Sequence, residues 1–481
     1  MTLKLYNTLT RSLCDFRPLK DGEAGVYVCG PTVYDDAHIG HARAAVAFDI
    51  LVRHLAASGH DVKYVRNFTD VDDKIIARAR EKGVHWKDLA EGYIASFNED
   101  MDALGCLRPT FAPRATEYIS QMQEDIQGIM DAGHAYALDG DVYFDVDSLP
   151  SYGTLSRREP QDTAPGARVA VDGRKRNPAD FALWKAAADG DPSWPSPWGP
   201  GRPGWHIECS AMSARLLGPA FDIHGGGQDL VFPHHENEMA QSAALGRTMA
   251  VVWLHNGFVN VNSEKMSKSL GNALGVKEIL RRFPPEAVRF FLLSSHYRGP
   301  VDFSDEAVGE ALRALERLYR AVEAADALGT PSGAGGSSGQ SAGEALAEAE
   351  ALRSRFREAL NDDLNTSLAL GALFEAARLL NRRVAELDAA AAAPLREAAV
   401  SMGAWLGMDL ADHAGFFGRL AALKESKGSL PARELIEERI GLRNEARARK
   451  DWTEADRIRK ELTDMGVILE DKSGGTSWRY A

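Results

Sequence analysis

His234 and Glu238 stand four residues apart in His234-His235-Glu236-Asn237-Glu238. On a helix that spacing puts an imidazole and a carboxylate on one face, as two ligands of a single metal require. The run follows Phe232-Pro233 and is expected to open a helix, with His235 and Glu236 projecting elsewhere. It is not His-Glu-x-x-His, which argues against a metalloprotease. Cys29, closing Gly25-Val26-Tyr27-Val28-Cys29, and Cys209, in Trp205-His206-Ile207-Glu208-Cys209-Ser210, can supply two thiolates. Two cysteines, one histidine and one glutamate form a set that zinc accepts. From the residues alone, Cys29 is equally well a small buried apolar side chain, and His206, three residues before Cys209, is a rival ligand.

Phosphate chemistry is suggested at two distant places. Gly30-Pro31-Thr32-Val33-Tyr34-Asp35-Asp36-Ala37-His38-Ile39-Gly40-His41 joins a strand to a helix. His38 and His41 then share one face at the positive end of that helix, and Gly40 lets a ligand approach the backbone. Such a terminus suits a phosphate or a stacked adenine. Far along the chain, Lys265-Met266-Ser267-Lys268-Ser269 offers two cations and two hydroxyls to a polyphosphate. Alone, the first reads as a helix cap and the second as a solvated basic turn. No Gly-x-x-x-x-Gly-Lys occurs, so P-loop chemistry is disfavoured.

These residues need a scaffold. The runs at 25–29 and 61–68 read as strands flanking an amphipathic helix from about His38 to Leu55, a βαβ unit with a parallel sheet. From about 113 to 203 proline and tryptophan cluster, which suggests an irregular insertion. The αβ pattern resumes to about 305, including a segment at about 252–305 that carries the two lysines. A helical region, 306–425, follows, with a flexible Gly/Ser segment at 330–343 and a helical Ala-rich stretch at 389–393. A final unit, 426–481, begins with a charged helix and ends in a strand at 467–471. The 481 residues, at roughly 150 per domain, fit three domains.

The four cysteines are scattered, and neither an export signal nor an apolar run of about 18 residues is present. A cytoplasmic protein with reduced thiols is expected, with no membrane contact. The net charge of −13 speaks mildly against nucleic acid. Binding depends on local charge, however, and residues 439–460 hold eight Lys/Arg against four Asp/Glu.

In this order, at the two ends of an interrupted αβ domain, the histidine and lysine motifs resemble the HIGH and KMSKS signatures of class I aminoacyl-tRNA synthetases. Tyr27–Arg43, Tyr64–Lys74, Trp205–Ser210, Phe221–Glu238, Lys265–Asn272, the tail at 448–456 and Gly475–Arg479 extend the resemblance to the cysteinyl-tRNA synthetases. The resemblance implies a Rossmann-like parallel-sheet catalytic domain with an insertion (1–305), a helical bundle (306–425) and a small mixed α/β anticodon-binding domain (426–481). It implies that cysteine is activated with ATP to the adenylate and passed to the 3′-terminal adenosine of its tRNA. Gly30, His38, Gly40, His41, Lys265, Ser267 and Lys268 would bind ATP, with His38, His41, Lys265 and Lys268 catalytic. Thr69, Trp205, His224 and Asp229 would line the cysteine pocket. Cys29, Cys209, His234 and Glu238 would hold one Zn²⁺, and Mg²⁺ would arrive with ATP. Arg439, Arg443, Arg447 and Arg449 could meet tRNA phosphates, and Trp452 or Trp478 could stack on a base. A monomer is expected.

A metal is wanted because pocket shape discriminates poorly against serine or alanine. A thiolate binds zinc far better than a hydroxyl does. Rival readings are a ligase joining cysteine to an amino sugar, a non-catalytic RNA-binding relative and, more distantly, a zinc hydrolase. The RNA-domain-like tail favours the tRNA ligase over the first, and intact His38, His41, Lys265 and Lys268 disfavour the second.

Overall fold

The computed structural model describes residues 2–158, 173–261, 264–265, 274–329, 336–426, 433–472 and 475–480. Its centre is a parallel four-stranded sheet in the order Met249–Asn256, Ala220–Gly227, Glu23–Val28, Asp61–Arg66. Val26 sits between Ile223 and Tyr64, and all three are buried. Strands this apolar need cover on both faces, which crossover helices supply. Helix Ile39–Ala57 is the first crossover and is buried along most of its length. It presses so closely on the sheet that a Cβ at residue 225 would lie 2.2 Å from the Phe48 ring. Glycine is therefore required there.

Where it is described, the stretch at 113–203 is more regular than expected; 159–172 lie outside the described residues. It holds helix Ile119–Asp131 and antiparallel strands Ala135–Leu138, Asp141–Phe144, Phe181–Ala186 and Gly201–Pro203. Met122, Ile126 and Trp184 form its core with Ile207, Ala211 and Ala240 from helices Trp205–Leu217 and Glu236–Ala244. At roughly 1.5–3 kcal/mol for each large apolar side chain buried, this contact fixes the two helices that matter to the site.

Beyond Asp305 come helices Asp305–Ala327, Gly336–Asn361, Thr366–Ala385, Ala389–Trp405 and His413–Ser426. Residues 336–343, expected as flexible linker, belong to the second of these; 330–335 lie outside the described residues. One continuous core joins Ile39 and Val46 to Leu315 and Leu373, so this bundle packs on the first crossover helix. Buried Arg289 locks the junction, donating to the carbonyls of Leu406 (2.7 Å) and Leu104 (3.0 Å) and pairing with Asp49.

The last unit packs helices Arg433–Ala448 and Trp452–Asp464 on a hairpin, Val467–Lys472 with Gly475–Tyr480. The expected final strand has a second strand beside it. Among the described residues no helix is long and apolar enough to cross a membrane.

Candidate functional site

Four donors meet at the carboxyl end of the sheet, the edge where open α/β folds place their ligands. Cys29 follows strand Glu23–Val28 directly, and its amide donates to Gly225 O at 3.0 Å. The chain then turns at Gly30, whose amide donates to Asn67 Oδ1 (2.9 Å). A Cβ on residue 30 would stand 1.6 Å from the Asn67 carbonyl oxygen, so no other residue fits. Cys209 is on helix Trp205–Leu217 and Glu238 in the first turn of Glu236–Ala244. His234, expected on the same helix as Glu238, lies instead in the irregular turn Val231–His235 ahead of it.

The donor atoms of Cys29, Cys209, His234 and Glu238 all lie within 4.8 Å of one another. Cys29 Sγ is 3.6 Å from Cys209 Sγ and 3.4 Å from Glu238 Oε1. His234 Nε2 is 3.6 Å from Cys209 Sγ and 3.0 Å from Glu238 Oε1. Tetrahedral zinc bonds of about 2.0–2.3 Å imply ligand separations of roughly 3.3–3.8 Å, so the set fits with small adjustments. Both thiols are free. Burial pushes the Cys209 thiol up to about 11 and that of Cys29 well above its ordinary value. Burial likewise holds His234 well below its ordinary value and His206 down to about 3, so both imidazoles are neutral. Neutral imidazoles and thiols that ionise only against a cation are the behaviour of a metal site.

Each donor is held by a further group. His206 is no rival ligand: its Nδ1 faces His234 Nδ1 at 2.9 Å and orients that ring, while Trp205 stacks on it with centroids 4.1 Å apart. Fully buried His224 donates from Nδ1 to Tyr27 O (3.1 Å) and places Nε2 2.8 Å from Glu238 Oε2. His224 Nε2 also lies 3.9 Å from Cys29 Sγ, among the donor atoms themselves. His235 does not project away. Its Nε2 is 4.0 Å from Glu238 Oε1, and a second grouping, Cys29, His224, His235 and Glu238, also satisfies the 4.8 Å limit. Glu236 accepts from the amides of Gly153 (2.9 Å) and Ser156 (2.7 Å), tying the insertion to the donor helix.

Of the other pocket candidates, Thr69 is buried and donates to Glu208, whose carboxyl burial pushes well above the usual range. Asp229 is exposed on the short turn Gln228–Leu230.

The candidate nucleotide half lies alongside. His38 caps helix Ile39–Ala57, accepting from the Gly40 amide (3.1 Å), while His41 Nδ1 accepts from the His38 amide (3.2 Å). Their rings stack with centroids 3.8 Å apart at the positive helix end. Ile39 N donates to Leu274 O (3.0 Å) and Val276 N to Ala37 O (2.9 Å). The residues that follow the lysine motif are therefore stitched to those that begin the histidine motif. Lys265 is described only as backbone, in strand Glu264–Lys265 paired with Asn260 and Val261; Ser267 and Lys268 lie outside the described residues.

In the last unit, Arg443 is buried, donating to Thr476 Oγ1 at 3.2 Å, and so serves packing rather than the surface. Arg439 lies 3.5 Å from Glu461, Arg447 is half-buried, and Trp478 packs against the small core. Arg449 and Trp452 are exposed.

Tyr27, Asn67, His255 and Glu236 surround the site without having been legible as parts of it. Only the His234-His235 pair hinted at a histidine network; it runs from His235 Nδ1 to His255 Nε2 (2.8 Å) and on to Thr8 (2.7 Å).

The model of the family described as "tRNA synthetases class I (C) catalytic domain" matches residues 15–313. A DALR domain matches 355–411, and "Cysteinyl-tRNA ligase anticodon binding domain" matches 440–479. The chain is 51% identical over 492 residues to a cysteine--tRNA ligase of Syntrophobacter fumaroxidans and 50% over 482 to one of Geobacter sulfurreducens, covering all of each chain. Among solved structures, the fold is similar to that of Mycobacterium tuberculosis methionyl-tRNA synthetase with methionyl-adenylate. There the TM-score is 0.59 at 17% identity, over 80% of this chain and 91% of that one. The Agrobacterium radiobacter K84 agnB2 LeuRS–tRNA–LeuAMS complex gives 0.61 at 14%, over 83% and 86%.

Proposed function

The chain belongs to the cysteine--tRNA ligase family, and from that premise we propose how its residues divide the work of an ATP-dependent ligation of cysteine to tRNA. The observation that carries the proposal is the buried meeting of Cys29, Cys209, His234 and Glu238 beside the helix begun by His38 and His41.

Those four side chains hold a zinc ion, with His206 and His224 orienting His234 and Glu238. Bound there, zinc supplies a soft electrophile that prefers the substrate's thiolate to a hydroxyl. Trp205 and Thr69 flank the substrate, and Asp229, on the rim, meets its amino group. Activation is attack of the cysteine carboxylate on the α-phosphate as pyrophosphate leaves, with Mg²⁺ accompanying ATP. Alignment and charge neutralisation dominate such a step. Gly40 leaves room for the nucleotide, and His38 and His41 donate to phosphate oxygens at a helix end already favouring anions. Lys265 and Lys268, with Ser267, hold the departing pyrophosphate. In the second step the terminal ribose hydroxyl, the 2′-OH by class, attacks the adenylate carbonyl, forming the ester as the anhydride bond breaks and AMP leaves. Residues 426–481 read the anticodon, where Arg449 and Trp452 are the exposed pair able to meet a phosphate and a base. The protein acts as a monomer in the cytoplasm.

Cysteine-dependent ATP–pyrophosphate exchange, followed by charging of a tRNA transcript, tests this reading. Exchange without charging would favour the amino-sugar ligase; no exchange by metal-replete protein would remove the enzyme reading.

A further inference from the structure

Tyr27 occupies the middle of the central sheet and is fully buried. Its ring stands edge-on to His224, with centroids 5.3 Å apart, and tilted against Phe221 at 6.3 Å. These neighbours explain an aromatic ring but not a hydroxyl. Tyr27 packs in one buried cluster with Cys209 and Cys29, Cys209 is the thiol that acts on it most strongly, and its hydroxyl meets no acceptor within strict bonding geometry. An unsatisfied buried hydroxyl costs about 1–3 kcal/mol, and phenylalanine would avoid that cost.

Charge supplies the reason to keep it. Two thiolates and a carboxylate bring three negative charges to a divalent cation, leaving one negative charge in excess in a buried place. Such a charge persists only where donors point at it. Outer donors of this kind are a general part of metal sites.

We propose that Tyr27 is a positioning residue whose hydroxyl donates to the Cys209 sulfur once that sulfur is a metal-bound thiolate. The hydrogen bond draws electron density from the thiolate and leaves the cation a better acceptor for a substrate thiol. Tyr27 thereby helps set the preference for sulfur without touching substrate. The inference rests on the metal reading above.

Cobalt(II) loaded into the metal-stripped full chain tests both and separates them. In Tyr27→Phe, cobalt should still bind at one equivalent. Its thiolate-to-cobalt charge-transfer band should move to longer wavelength, and its affinity in chelator competition should fall by about tenfold. The metal-free variant should melt no lower than the parent, because it loses only an unpaired hydroxyl, and should gain less on loading. A hydroxyl that is merely structural would leave the spectrum, the affinity and the gain on loading unchanged, and that result overturns the inference. Parent protein that takes up no cobalt would overturn the metal reading first, and this inference with it.

Discussion

The candidate metal-donor cluster is held by partner side chains, and the neighbouring candidate nucleotide half by its own helix cap and main-chain bonds. Around Cys209, His234 and Glu238 the reactive groups are almost wholly removed from water, and a second side chain holds each of His234 and Glu238. Around His38 and His41 the frame is a helix end and two main-chain bonds from Leu274 and Val276. The contrast fits what each half is proposed to bind. A thiol is told from a hydroxyl only where donors are desolvated and fixed, so precision there depends on outer partners. A triphosphate carries its own charge and must enter and leave, so a helix end bearing two imidazoles can serve it.

If that division holds, damage to one half should spare the other. Cys209→Ser should give the largest effect, lowering cysteine-dependent exchange by more than about 100-fold and abolishing stoichiometric metal, while ATP affinity stays near the parent's. Mass spectrometry of bound metal and ATP titration read the two outcomes. His41→Ala should cut the maximal exchange rate by about 100-fold through lost transition-state contact, with metal content intact. Metal loss in that variant would break the comparison.

Away from both halves, Trp452→Ala should weaken tRNA binding by about tenfold in filter binding and leave exchange untouched. The smallest effect sits beside the nucleotide half. Asp100 is 3% exposed, and its carboxyl is pushed up to about 6 by burial, with Lys277 opposing and Asp36 and Glu99 adding to the rise. The folded chain holds that proton more tightly than the unfolded chain, whose carboxyl titrates at about 3.9, so stability falls as pH climbs from about 4 to 6 and stays lost above. Asp100→Asn should recover up to about 2 kcal/mol at pH 7 after allowance for the charged neighbours, and nothing below about pH 4. Urea melts at both values decide it.

What could be read from the residues divides along the same line. The β-branched runs and the cap at His38 have local signatures, and strands Glu23–Val28 and Asp61–Arg66 with helix Ile39–Ala57 appear close to where patterning puts them. The insertion's strands at Ala135–Leu138 and Asp141–Phe144 are only four residues long, too short for alternation to rise above proline and tryptophan composition. Gly336–Gly343 looks like linker because glycine and serine disfavour helix, yet these residues are in helix Gly336–Asn361. Arg443 belongs to a basic run that reads as solvated, and only the hairpin folding over it buries it. The partners of the donors are long-range. Asn67 reaches Gly30, Glu236 reaches Gly153 and His235 reaches His255 across the fold, and no spacing along the chain announces them.

On the proposed reading, a metal held by Cys29, Cys209, His234 and Glu238 selects the thiol. Stripping the full chain with a chelator and titrating zinc back while following cysteine-dependent and serine-dependent exchange addresses it most directly. The expected result is cysteine exchange that returns in proportion to zinc and saturates at one equivalent, with serine exchange at background throughout. Full cysteine exchange by the stripped protein, still discriminating against serine, would contradict it.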